Sequence, residues 1–229
     1  MDQESILSAL RGLGTTRRFF AQEYSWLLRV ARQAFYYVFG RVSIFPWFEL
    51  GAMQCPTDYM AYMEYILLKR PRVIVETGTA SGSGALFWAE VLRRVHGDRN
   101  VRVITVEIDP RQLSAPIGAC PEIVSRIGRR VAPEISKKVF DLAGAVPGPV
   151  MVTLDSDHSA EHVARELAIY SDLVSDGQYL LVQDTFFGLY WGGNLNGEQQ
   201  KALHEGVEGA TPYDYIGCPL GAVEAFLSC

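Results

Sequence analysis

Short apolar runs alternate with stretches of helical character along most of this chain. Val73 to Val75 and Val150 to Leu154 are apolar and rich in β-branched residues, the pattern of parallel strands buried on both faces. Val101 to Val106, Glu122 to Ile127 and Tyr179 to Val182 read as further strands, the last opened by Gly177. Between them Ala85 to Val95, Pro133 to Leu142 and a segment from Ser159 to about Leu173 have helical composition. Pro133 suits a first turn, and Ser159 is placed to cap. Another helix, about Tyr59 to Lys69, precedes the first strand, with Thr57 or Asp58 as its cap. Further upstream Leu27, Leu28, Ala31, Ala34 and Phe35 recur at helical spacing, and Gly40 is a plausible stop. Strand and helix alternate five times, which predicts an α/β fold with a doubly wound, Rossmann-like parallel sheet and ligands at the carboxyl ends of its strands. The expected organisation is an N-terminal helical extension over residues 1–46 and one α/β domain over 47–229. Ser114 to Gly148 is the least regular part of that domain.

Composition narrows the class. With 229 residues, 48% hydrophobic and 21% charged, the chain has the make-up of an ordinary folded domain. A formal net charge of −5 gives no basis for a nucleic-acid surface. Trp26 to Phe48 is aromatic and apolar but carries Arg29, Arg32 and Arg41, so no membrane span is expected. The start M-D-Q-E-S has no signal-peptide character. Cys55, Cys120, Cys218 and Cys229 form no C-x-x-C, which fits reduced thiols in a cytoplasmic protein. The N-terminal segment is read as a lid or an oligomer contact ahead of a membrane-surface helix, because its basic face is thin.

The densest signal is R-V-I-V-E-T-G-T-A-S-G-S-G, from Arg72 to Gly84. A strand, a glycine turn through Gly78, Gly82 and Gly84, and a helix start make a site for a nucleotide-like ligand. The dinucleotide fingerprint G-x-G-x-x-G fails because Phe87 holds its third glycine position, and no G-K-[ST] follows for a phosphate loop. The turn E-x-G-x-x-x-G-x-G resembles instead the first motif of class I S-adenosylmethionine (SAM) methyltransferases. SAM has no phosphate and needs no fixed cation, while its sulfonium and amino groups favour a carboxylate such as Glu76. A glycine-rich turn without a ligand is the alternative.

Upstream, Gly51, Gln54, Pro56 and Asp58 form G-x-x-x-Q-x-P-x-D before the E-T-G-T loop. That order is similar to the cephalosporin hydroxylase family, which has the class I methyltransferase fold and includes sugar O-methyltransferases. The resemblance covers roughly residues 47–227. It implies SAM held by Glu76, Gly78, Thr79, Ser81, Gly82 and Ser83. Glu107, with Asp109 second, would sit on the ribose hydroxyls, since a carboxylate accepts two hydrogen bonds from a diol. Solvated turn acids are the alternative reading of both. Gly128-Arg129-Arg130 departs from the family's third-strand turn; the arginines are either a solvated pair or a partner for an anionic group. Relative to family members the chain is expected to stop before the final strand pair, leaving a shortened C-terminal edge.

Metal-dependent O-methyltransferases related to this family carry D-x-x-(base) and then an acidic pair. Asp155-Ser156-Asp157-His158 matches the first element, and Gln183-Asp184 follows 28 residues after Asp155. The resemblance therefore implies a divalent cation, Mg²⁺ first, on Asp155, Asp184 and Gln183, and His158 as general base. Gln183 stands where those enzymes carry an acid, so binding is expected to be weaker. His158 can alternatively be a helix-start histidine bonded to backbone. His162 is read as surface, His96 and His204 as polar positions without a role, and Phe186, Tyr190 and Trp191 as acceptor-pocket or core residues. The sequence has no 2-His-1-carboxylate iron motif and no haem cysteine context. The resulting expectation is a SAM-dependent, metal-assisted O-methyltransferase of a hydroxylated small-molecule acceptor, a sugar or a secondary metabolite, assembled as a homo-oligomer. A non-catalytic SAM-binding partner protein is the rival.

Overall fold

A computed structural model describes residues 4–5, 44–47, 50–54, 56–109, 111, 115–128, 131–185 and 219–229. The strands are β1 (Ile44–Trp47), β2 (Leu50–Met53), β3 (Val73–Thr77), β4 (Arg102–Glu107), β5 (Ile123–Ile127), β6 (Val150–Leu154) and β7 (Leu180–Val182). The helices are α1 (Pro56–Lys69), α2 (Ser83–His96), α3 (Ala115–Ala119), α4 (Pro133–Gly144), α5 (Ala160–Tyr170) and α6 (Pro219–Ser228), and a 3₁₀ turn, Ser171–Leu173, follows α5. The chain divides into two compact units. One comprises Tyr37–Ser156 with Ile169–Leu181; the other comprises Met1–Tyr36, Asp157–Ala168 and Val182–Cys229.

The first unit is built on a five-stranded sheet of order β5-β4-β3-β6-β7. The registered pairs are parallel: Val73 lies opposite Arg102 and Val150, and Val103 opposite Ile123. All five residues of β3 and of β6 are buried, which is why their sequences show no alternation. The order reverses between β3 and β6, the switch point at which such sheets open a crevice. α2 packs Ala85, Phe87, Trp88, Ala89 and Leu92 inward. These side chains join Tyr59 and Ile66 of α1, Ile74, Val103 and Met151 in one core cluster. The Tyr59 and Phe87 rings lie 4.3 Å apart, and those of Tyr62 and Trp88 5.1 Å. In the second unit Val163, Ala164 and Leu167 of α5 are buried, as are Ala222 and Ala225 of α6.

The predicted strands and helices are present with small shifts, and three differences carry physical reasons. α1 begins at Pro56, so Thr57 and Asp58 lie in its first turn; Asp58 acts there on the helix dipole instead of as a cap. The antiparallel hairpin β1–β2, with Trp47 opposite Leu50, crosses the expected boundary at residues 46/47. α3 and α6 were not foreseen from their short apolar patterns. Most of the N-terminal helical segment, Arg129, Arg130 and the aromatic stretch with Phe186, Tyr190 and Trp191 lie outside the described residues. Among the described residues no helix is long and apolar enough to cross a membrane, and Cys120 and Cys229 are free thiols.

Candidate functional site

The loop after β3 is shaped by close backbone approach. Gly78 has φ 90°, and a Cβ there would stand 1.7 Å from the carbonyl oxygen of Asp155. Its N–H donates to the Val106 carbonyl at 3.0 Å, while the Asp155 N–H donates to the Thr77 carbonyl at 2.9 Å. The ends of β4, β3 and β6 are thus tied together at one glycine. The loop then turns on a 2.8 Å bond from Gly82 N–H to the Thr79 carbonyl and enters α2. No side chain caps α2, so its first N–H groups are left for other partners. The Ser81 hydroxyl donates to Ser83 at 3.3 Å.

Two buried carboxylates support this loop. Glu107, 2% exposed, accepts four backbone N–H groups. Thr79 and Ala80 donate to its Oε2 at 3.1 and 3.0 Å, and Ile108 and Asp109 to its Oε1 at 2.7 and 3.1 Å. Glu76, 3% exposed, accepts from Trp88 Nε1 on Oε1 at 2.7 Å and from Thr105 Oγ1 on Oε2 at 2.6 Å. Burial pushes the Glu76 carboxyl up to about 7, against the lowering effect of the Thr105 and Trp88 bonds, and the charges of Asp155 and Glu107 push it further. Asp109 is engaged by Arg111, whose Nε and Nη2 lie 2.6–3.1 Å from its two oxygens, and these bonds hold its carboxyl below the usual range.

Sequence reasoning missed three residues here: Tyr59, Trp88 and Thr105. Tyr59 bonds to Ser83 at the start of α2, and burial pushes its phenol up to about 12. Tyr59 adjoins Asp58 of the G-x-x-x-Q-x-P-x-D motif, and Trp88 has a polar tip that a buried position must satisfy, which was the available signal. Thr105 had none, since it reads as an ordinary strand residue.

Asp155 follows β6, and β7, the neighbouring strand, leads into Gln183 and Asp184. In the second unit His158 Nε2 lies 2.9 Å from Asp184 Oδ2, so the two residues singled out from D-x-x-H and Q-D are paired. Asp184 has φ 55°, a left-handed conformation of the kind that collects at functional sites. Ser159 is placed as expected, its hydroxyl 3.4 Å from the His162 N–H in the first turn of α5. Asp157 accepts from the Ser159 N–H at 2.8 Å; burial opposes its ionisation, but the Ser159 bonds and the nearby imidazoles hold its carboxyl low. His162 is not a free surface residue: its Nε2 lies 3.3 Å from buried Glu166.

A parallel sheet that reverses order beside a glycine turn, with an acid at the end of the next strand, is the framework of the class I SAM-dependent methyltransferases. Solved CmcI structures share this fold. One described as Mg-SAM superposes with a TM-score of 0.52 at 19% identity, covering 65% of this chain and 60% of that one. One described as SAH, the demethylated product, gives 0.51 at 18%, covering 62% and 66%. Within the class, the chain belongs to the family described as Rhamnosyl O-methyltransferase/CmcI, which it matches over residues 41–227. It is therefore a member of a family of SAM-dependent O-methyltransferases, as the Gly51-to-Asp58 motif and the E-T-G-T loop imply. A Rhamnosyl O-methyltransferase of Mycobacterium leprae is 29% identical over 170 residues, 74% of this chain and 68% of that protein. That of Mycobacterium tuberculosis is 28% identical over 141 residues, so the chain spans about half its length, 54%.

Proposed function

We propose that this chain transfers the methyl group of SAM to a hydroxyl of a sugar or related secondary-metabolite acceptor. The observation that carries the reading is the loop from Gly78 to Ser83, anchored on Glu107 at the switch point of the sheet, in a chain of this family. Thr79, Ser81, Gly82 and Ser83 line the cofactor's path, with Glu107 and Asp109 toward the ribose. Glu107 already receives four N–H groups, so it holds the loop and meets the diol with lone pairs it shares. The relatives' name points to a rhamnosyl hydroxyl as the acceptor class.

His158 is the base in this proposal. With Nε2–H donating to Asp184 Oδ2, the lone pair that takes the acceptor's proton is on Nδ1. The Asp184 carboxylate steadies the imidazolium that results. The acceptor oxygen forms its bond to the methyl carbon as the carbon–sulfur bond breaks, and the electron pair stays on sulfur to give the neutral thioether. Aspartate carboxylates such as Asp155 and Asp184 are hard oxygen ligands of the kind a divalent cation takes, and the Gln183 carbonyl adds a neutral oxygen. By the D-x-x-H and Q-D spacing, Asp155, Asp184 and Gln183 would hold such a cation, which would lower the pKa of the acceptor hydroxyl.

Product formation from methyl-labelled SAM, across a panel of glycosides with and without chelator, tests the reading. Turnover that needs Mg²⁺ supports it in full. The rival reading, a non-catalytic SAM-binding partner, is favoured by Gln183 in place of an acid; SAM binding without turnover on any acceptor would select it.

A further inference from the structure

Beneath the glycine loop, four side chains form one hydrogen-bonded line. Trp88 of α2 donates to Glu76 Oε1, Thr105 of β4 donates to Glu76 Oε2, and the hydroxyls of Thr105 and Thr79 lie 2.6 Å apart. All four members of the line are buried: Trp88 is 1%, Glu76 3%, Thr105 0% and Thr79 4% exposed. Gly84 makes room for it, since a Cβ there would stand 2.6 Å from Glu76 Oε1. The second glycine of G-x-G thus serves the acid.

Counting protons shows what the line can do. An indole N–H only donates, so Oε1 is an acceptor in either state of Glu76 and any carboxyl proton sits on Oε2. With Glu76 ionised, Thr105 spends its one proton on Oε2, and Thr79 donates to Thr105. With Glu76 protonated, the acid donates to Thr105, Thr105 donates to Thr79, and the Thr79 proton is released from the line.

We propose that Glu76 is a positioning residue for the cofactor: by keeping or releasing one proton it sets which way the Thr105 and Thr79 hydroxyls donate, and so how the loop receives its ligand. This rests on the reading that the loop binds SAM. The ionisable groups facing Glu76 are Tyr59 from α1, Glu107 from β4 and Asp155 after β6, all acids. α2 contributes the neutral Trp88. Burial places the carboxyl at about 7, so both proton states are populated near neutral pH. SAM carries a sulfonium and an ammonium against one carboxylate. Its net positive charge favours ionised Glu76, and binding expels the proton.

Calorimetric titration with SAM in chelator, from about pH 5.5 to about pH 8.5, tests this on the wild type, Glu76→Gln and Thr105→Val. Wild-type affinity should rise roughly tenfold with pH, the factor that one unit of pKa displacement on binding produces. The glutamine amide accepts from Trp88 and donates to Thr105, which holds the line in its protonated direction. Glu76→Gln should therefore lack this rise and keep the low-pH affinity, apart from the titration of SAM's own amine that both proteins share. Thr105→Val leaves the acid but cuts the line, and should lose most of the rise; it decides the matter alone if circular dichroism shows Glu76→Gln unfolded. A variant profile that tracks the wild type overturns the inference while SAM binding stands. No SAM binding at any pH overturns the functional reading and this inference with it.

Discussion

Glu76 and Glu107 end adjacent parallel strands and are equally buried, yet they meet different donors. Glu107 gathers four backbone N–H groups, whereas Glu76 has one indole and one hydroxyl. Two donors do not offset the loss of water around a carboxylate, and the Glu76 value rises from 4.5 to about 7. The folded state then holds a proton that the unfolded chain has lost between those values. The stabilisation is full below the unfolded value and disappears as pH rises through the folded one. The unfolding free energy from denaturant titrations should fall across that window by on the order of 3 kcal/mol, and Glu76→Gln should flatten the curve; equal slopes would contradict the assignment. Glu107→Ala removes charged hydrogen bonds and should weaken SAM binding by about 1–3 kcal/mol, read by calorimetry. His158→Ala should leave SAM affinity intact and slow methyl transfer roughly 10²–10⁴-fold, the usual worth of a positioned base. Full activity in that variant and in chelator would refute both proposed roles.

At the scale of elements, the β3–loop–α2 unit depends on Gly78 more than on its other glycines. Gly78→Ala would drive a methyl group into the Asp155–Ser156 backbone at a positive φ. A loss above about 4 kcal/mol is expected, or failure to fold. Gly144, the last residue of α4, has open space around its Cβ position and no positive φ, so Gly144→Ala should stabilise by about 0.5 kcal/mol. The two variants compared by urea denaturation separate close approach from mere flexibility. Elements with local signals were readable: β6 spans Val150 to Leu154 as predicted, and Pro133 opens α4. The hairpin was not, because β1 and β2 are four residues each and contain Pro46 and Gly51, which read as loop punctuation.

For the whole molecule, the sheet order β5-β4-β3-β6-β7 puts β3 between β4 and β6 and gathers the glycine loop, Glu107 and Asp155 at neighbouring strand ends. On α1, Met60, Met63, Leu67 and Leu68 are exposed, apolar surface of the kind an isolated domain tends to cover. We expect a homo-oligomer, and light scattering at micromolar concentration that gives the mass of one chain would contradict it.

Local rules were enough for the strand–helix alternation, the strained glycine turn and the family motifs, because β-branched runs, prolines and glycines act within a few residues of where they stand. The choice of donors was not local. Glu76 meets Thr105 across 29 residues and Glu107 meets Thr79 across 28, through parallel register that no neighbouring residue specifies. His158 and Asp184 pair only because the chain returns after α5 and β7. A carboxylate's chemistry depends on burial and on the donors that face it, and those are properties of the packed sheet.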